Sequence, residues 1–262
     1  MMSEPQEMEC EETEEAQEED EGPGIVQNGM VRGVSGKKMV VNGVLDLRGV
    51  PAEQVEGVES VVVNGVVLLD EQNRGALANA KTVVNGPTVV ADPDLKVLVQ
   101  PDLEFSKAML EGMTSGQKLM VIGNIYFRPD VPPALVAEKL AEAHVIGIVI
   151  ACEGVHGALM DRAEVTGVSV ALDDNVRAVV RAIGNSELTK DYLSRLEDSA
   201  TYINIGNTSV SEDVPEDLLA QKIAAYHNVG NTTAPAGLLG LLKARCKTNM
   251  GNFSEPGEDD DD

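Results

Sequence analysis

Three segments near the start alternate apolar and polar positions around a shared Asn-Gly: MVVNGVLDL (39–47), VVVNGVVLL (61–69) and TVVNGPTVV (82–90). With a period of two, Met39, Val41, Gly43, Leu45 and Leu47 share one face, as do Val61, Val63, Gly65, Val67 and Leu69. The opposite face carries Val40, Asn42, Val44 and Asp46. One face is therefore apolar and the other mixed, and the Val and Leu content favours extended chain. Glycine recurs at the same point of each such segment: Gly43, Gly65, Gly86, Gly123, Gly147, Gly167, Gly206 and Gly230. Most intervals are 20–24 residues, and two longer ones contain VLVQPDLEF (97–105) and AIGNSEL (182–188). The expectation is about ten strand-bearing rungs, with a column at the glycines where backbone comes too close for a Cβ.

Between strands the period lengthens. After Val131-Pro132 and Val214-Pro215, the sets Leu135, Val136, Leu140, Ala143 and Leu218, Leu219, Ile223, Tyr226 recur at three-to-four spacing. Proline in the first turn, with Asp130 or Asp213 just before it, is a helix start. Residues 174–183, 189–198 and 236–247 also read as short helices. The early connectors AEQVEGVE (52–59) and NRGALANA (73–80) are too short for more than about a turn.

The chain also repeats itself. Residues 121–147 return as 204–230 at a constant offset of 83, with 12 of 27 columns identical. Among these are Lys139/Lys222, His144/His227 and Gly147/Gly230. Strand, turn, short helix and strand at this period predict an α/β repeat. It would be a right-handed solenoid with a parallel β-sheet and short helices or turns between strands. In spacing and layout, and in the strand followed by asparagine of SRLEDSATYINIGNTSV (194–210), the chain resembles the leucine-rich-repeat class over roughly residues 37–250. That resemblance implies an interaction fold whose sheet face meets a protein.

Charge changes the picture only at the ends. The formal net charge of −24 includes eleven acids and no bases in residues 1–22, and six acids and no bases in 255–262. The stretch between them is nearly balanced, with 27 acids against 20 bases. The expected organisation is a disordered acidic tail over 1–30, a single repeat-solenoid domain over 31–254, and an acidic tail over 255–262. No basic footprint marks the chain, so direct nucleic-acid binding is not expected. The longest apolar run, Val145–Cys152, has eight residues, well short of the roughly 20 that insertion across a membrane needs. Cys10, Cys152 and Cys246 have no metal-type spacing and suit a reducing cytoplasm.

No candidate chemistry converges on a catalytic or cofactor site, and no cofactor or metal is expected. Gly-x-Ser-x-Gly and phosphate-loop spacings are absent, and GVSGKK (33–38) reads as a flexible entry to the first rung. His156 in EGVHG reads as a solvated histidine in a glycine-flanked turn, and Asp173-Asp174 as helix caps. Asn42, Asn64 and Asn85 precede the glycine and suit an amide ladder or a polar stripe for a ligand. Asn124, Asn207 and Asn231 follow it, which suits a tight turn or a positive φ. The candidate interaction face comprises Asn42, Asn64, Asn85, Tyr126, His144, Tyr202 and His227. The expected function is a non-enzymatic protein–protein interaction scaffold. The alternative is a self-assembling filament or shell component, because TNMGNF (248–253) runs straight into the acidic tail with no capping module.

Overall fold

The computed structural model describes residues 25–55, 58–75, 77–78 and 80–257. The acidic runs within 1–24 and 258–262, and Cys10 with them, lie outside the described residues. Among these are fourteen strands in three sheets, with six short α-helices, and every strand pair is parallel. By their contacts they form two compact units, one ending at Pro93 and one beginning at Asp94.

The first unit is one sheet of β1 (Ile25–Arg32), β2 (Lys38–Asp46), β3 (Ser60–Leu69), β4 (Lys81–Asn85) and β5 (Thr88–Val90). The order is β1-β2-β3-β4, with β5 also pairing β3. Pro87 has no N–H to give the ladder, and it sits where β4 and β5 part on the edge. Met39, Val41, Leu45, Val61, Val63 and Val67 form its core on one face, as their alternation predicts. β1 begins inside the segment expected to be tail, and GVSGKK is the connector from β1 to β2 rather than an entry. The sequence hides β1 because Gly29 precedes Gly43 by only 14 residues and IVQNGMVR abuts the acidic run.

Polar side chains tie the first unit's connectors. Arg48 Nε and Nη2 donate to the two oxygens of Asp46 at 2.9 Å each, and Nη1 donates to the Asp92 carbonyl at 3.0 Å. Both side chains are buried. Asp70 accepts from Gly49 N and Asn73 N, which holds its carboxyl below the ordinary 3.8.

The second unit holds two four-position sheets. One is β6 (Lys96–Phe105), β7 (Gln117–Phe127), β8 (Leu140–Cys152) and β9 (Ala163–Leu172). The other is β10 (Val179–Leu188), β11 (Ala200–Val210), β12 (Ile223–Thr233), then β13 (Cys246–Asn249) and β14 (Asn252–Ser254) both beside β12. Helices α1 (Lys107–Gly112), α2 (Pro133–Lys139) and α3 (Glu153–Met160) connect the first set; α4 (Lys190–Arg195), α5 (Glu216–Lys222) and α6 (Ala236–Arg245) connect the second. Every one of these elements begins 83 residues after its counterpart, so the offset seen in the sequence runs through the whole unit.

Each sheet buries one face against its own helices. Val121, Ile125, Val145 and Val149 pack with Leu110, Val136 and Leu159. Tyr202, Tyr226 and Val210 pack with Leu193, Leu219 and Leu239. Ser106 Oγ and Thr189 Oγ1 accept from Met109 N and Tyr192 N and so start α1 and α4, while Pro132 and Pro215 start α2 and α5.

Several expected local structures differ. The helices expected through Ala143 and Tyr226 end at Lys139 and Lys222, and Leu140, Ala143, Ile223 and Tyr226 are strand residues of β8 and β12. Residues 174–183 are not helical: Val179–Ile183 pair with β11, where a parallel neighbour rewards the β-branched VV. EGVHG is not a turn but opens α3, whose second residue, Gly154, donates its N–H to Asp174 Oδ1. Asp174 therefore caps a helix 20 residues earlier than the one it was expected to start.

Candidate interaction face

The glycines set the geometry from which the faces follow. In the first unit Gly29, Gly43 and Gly65 lie in register. In the second, Gly147 pairs with Gly167, and Gly184, Gly206 and Gly230 align. A Cβ added at Gly65 would lie 1.8 Å from the Gly43 carbonyl oxygen, and one at Gly230 would lie 2.1 Å from that of Gly206. A Cβ added at Gly43, Gly86, Gly123, Gly147, Gly167 or Gly206 would likewise lie 1.7–2.4 Å from a backbone carbonyl oxygen of the preceding strand or turn.

The strand also bends at this point. Thr208 Oγ1 donates to Asn204 Oδ1 at 2.9 Å, and Thr232 Oγ1 to Asn228 Oδ1 at 2.9 Å. Four residues of straight strand would separate such atoms by about 13 Å, so the chain turns at Gly206 and Gly230. Each strand thus has a limb before the glycine and a limb after it.

Inside the bend of the second sheet runs a buried amide ladder. Asn204 Nδ2 donates to Asn228 Oδ1, and Asn228 Nδ2 to Asn249 Oδ1, both at 2.9 Å. Asn204 and Asn228 are fully buried. Outside the bend runs a second, exposed ladder: Asn207 Nδ2 to Asn185 Oδ1 at 2.9 Å, and Asn231 Nδ2 to Asn207 Oδ1 at 3.0 Å. Asn124, Asn207 and Asn231 were expected in tight turns or at positive φ; all three are strand residues without positive φ, since the neighbouring glycine takes the positive φ instead. The first unit has its exposed ladder one residue before the glycine. Asn42, Asn64 and Asn85 donate to Asn28, Asn42 and Asn64 at 3.0, 2.8 and 2.7 Å.

The remaining candidates lie elsewhere. Tyr126, Tyr202 and His227 are buried, so none presents its ring to a partner. Tyr126 lies under the Arg181 guanidinium, 4.3 Å above its ring, and burial pushes its hydroxyl up to about 12. Arg181 also bonds Asp102 at 2.5 Å and Glu104 at 3.1 Å. Tyr202 stacks on Tyr226 at 5.5 Å. His227 Nδ1 is 3.1 Å from Thr248 Oγ1, and burial lowers its pKa below the ordinary 6.5. His144 is half-buried, with Nε2 2.8 Å from Glu142 Oε1. The two histidines stand on different sheets. His156 Nε2 meets Ser169 Oγ at 2.5 Å on the surface.

The two sheets of the second unit pack on each other through unlike limbs. Tyr126, Ile150, Cys152, Val170 and Leu172, all after the glycine, cluster with Ile203 and Ile205, both before it. The equivalent before-glycine limb of the first unit is open. Its register places Val26, Val40, Val62 and Val83 in one cross-strand row. Val26 is 60% and Val83 51% exposed, and the Asn28–Asn42–Asn64–Asn85 ladder beside the row is exposed throughout. Sequence reasoning found the asparagines but missed the valine row. The signal was present in the V-x-N-G pattern, three residues before each glycine.

A cleft of about 560 Å³ lies in the second unit, where Asp173, Asp174 and Glu153 face Arg177 and Lys247. Among the described residues no group of three or more His, Cys, Asp or Glu is placed to hold a metal ion, and no helix is long and apolar enough to cross a membrane. Comparison with protein-family models, with curated proteins and with solved structures finds no match to this chain.

Proposed function

We propose that this chain is a non-enzymatic interaction scaffold, a right-handed repeat solenoid whose first unit offers its before-glycine sheet limb to a protein partner. The observation that carries this is the open row Val26–Val40–Val62–Val83, flanked by exposed amides. Val26 and Val83 at its ends are exposed and Val40 and Val62 between them are half-buried, and an apolar row that reaches the surface is a candidate contact surface. Parallel sheets with a glycine-paved bend support the solenoid reading, because each strand can bury its face only with its neighbours in place.

Capture experiments test this directly. The full chain is used as bait against cell lysate, alongside Val62→Glu, with far-UV circular dichroism confirming that both are folded. The scaffold reading expects a specific protein recovered by the parent chain and lost by at least tenfold with Val62→Glu. Equal recovery by both chains would refute the assignment of the face.

A further inference from the structure

The chain holds four Asn-Gly pairs, at Asn28, Asn42, Asn64 and Asn85, all in the first unit. Asparagine before glycine is prone to modify itself. With no Cβ in the way, the glycine nitrogen can reach and attack the asparagine Cγ. The local chemistry of the four pairs is the same, so the fold decides among them. Two restraints differ from rung to rung: whether the glycine N–H is already engaged, and how many bonds hold the asparagine amide.

In a parallel ladder every second N–H of a strand crosses to the next strand. Gly33 N donates to the Asp46 carbonyl at 2.9 Å, Leu47 N to that of Leu68 at 2.9 Å, and Val67 N to that of Pro87 at 3.1 Å. Stepped back along the register, this alternation turns the N–H groups of Gly29, Gly43 and Gly65 toward the carbonyls of Asn42, Asn64 and Asn85. Gly86 stands in the same phase directly after β4, but β4 is the edge of its sheet. Its N–H faces no further strand and meets no acceptor among the described residues.

The amides are graded in the same direction. Asn42 and Asn64 are held from both sides, each donating through Nδ2 and accepting at Oδ1. Asn28 only accepts, from Asn42 at 3.0 Å, and Asn85 only donates, to Asn64 at 2.7 Å. Attack at Asn42 or Asn64 therefore requires three bonds to open, at Asn28 two, and at Asn85 one. Asn85 and Gly86 are also both exposed.

We infer that Asn85-Gly86 is a self-modification site, where the folded chain deamidates while the ladder protects Asn42 and Asn64. Gly86 N bonds to Asn85 Cγ, and the bond from Cγ to the side-chain nitrogen breaks. The proton lost by Gly86 N passes through water to that nitrogen, which departs as ammonia. Water then opens the resulting cyclic imide at either carbonyl, leaving aspartate or its β-linked isomer at position 85. No oxidant, reductant or cofactor takes part. Either product sets a carboxylate oxygen where Nδ2 had faced Asn64 Oδ1, so acceptor meets acceptor and the last bond of the ladder is lost. The β-linked product also lengthens the main chain at the end of β4, beside the break at Pro87. This site needs no partner and is independent of the scaffold reading.

Peptide mapping by mass spectrometry tests this on the full chain, incubated folded at mildly alkaline pH and sampled over time. The same chain in denaturant gives each asparagine its unrestrained rate, by which its folded rate is divided. Each further bond that must open slows the folded reaction by roughly fivefold, so Asn85 should lead Asn28 by about fivefold and Asn42 and Asn64 by about twentyfold. Asn85→Gln moves the amide one carbon further from Gly86 N, and should remove the fastest phase of ammonia release from the folded chain. An Asn85 amide that survives in the folded chain, conversion of Asn42 or Asn64 as fast as Asn85, or an unchanged fast phase in Asn85→Gln would each overturn the inference.

Discussion

Replacing Gly65 by alanine tests the glycine column more sharply than any other single change. The added Cβ would sit 1.8 Å from the Gly43 carbonyl oxygen and 2.8 Å from its carbon, against backbone that cannot swing aside as a flexible side chain could. Restoring an ordinary contact requires β2 and β3 to part by more than about 1 Å there, which takes the flanking ladder bonds beyond hydrogen-bonding distance. Two such bonds contribute about 1 kcal/mol each. Gly65 also has φ +148, a region costing a further 1–3 kcal/mol for alanine. The expected loss is therefore about 4 kcal/mol. Gly29→Ala isolates the backbone part: its φ is +83, but an added Cβ meets nothing within 4 Å, so about 1–2 kcal/mol is expected. The first unit has no aromatic residue, so tyrosine fluorescence is blind to it. Hydrogen exchange of peptides spanning β2 and β3, read by mass spectrometry, gives the local opening free energy. If Gly65→Ala and Gly29→Ala fell within about 0.5 kcal/mol of each other, the close approach would not be the reason for the glycine.

Other consequences concern polar groups. Asn228→Ala removes the centre of the buried ladder and strands the amide partners on either side. A loss of about 3 kcal/mol in chemical denaturation is expected, against less than about 1 kcal/mol for the exposed Asn42→Ala. Asp46→Ala leaves the Arg48 charge buried without its carboxylate, and should cost about 3–5 kcal/mol in the opening free energy of the first unit. His227 has a folded pKa below the ordinary 6.5, so between those two values the unfolded chain binds the extra proton. Stability of the second unit should therefore fall as pH drops below about 6.5, and His227→Gln should flatten that slope in urea titrations followed by tyrosine fluorescence. Asp70 is also shifted downward, by the backbone hydrogen bond from Gly49, so its contribution is present above the ordinary 3.8 and is lost as pH falls through its lower folded value.

Much of this organisation is legible in the chain. Val/Leu alternation around Asn-Gly marks β2 and β3, and the 83-residue offset marks the duplication of the second unit. Pro132 and Pro215 mark the starts of two helices. What escapes reading does so for physical reasons. β1 has a short connector and an acidic neighbour, so its Gly29 falls outside the common spacing. The α3 residues EGVHG carry two glycines, and the helix persists because Val155 and Leu159 are buried against β8 and β9 and Asp174 bonds its first turn. Val179–Ile183 has helical spacing, but the strand beside it decides. Tyr126 is buried because the other sheet of its unit covers its limb, whereas Tyr202 lies on the face that packs against its own helices. Period-two patterning tells the two sides of a strand apart but says nothing of the bend at the glycine.

The most direct test of the account places a photo-crosslinking residue at Val62 in the full chain, with Glu216 on the exposed start of α5 as the control position. After irradiation in lysate, discrete protein adducts, whether to another protein or to a second copy of this chain, should form from position 62 and not from position 216. Adducts from 216 alone, or none from 62 in a folded chain, would contradict the claim that the valine row is the working surface of this protein.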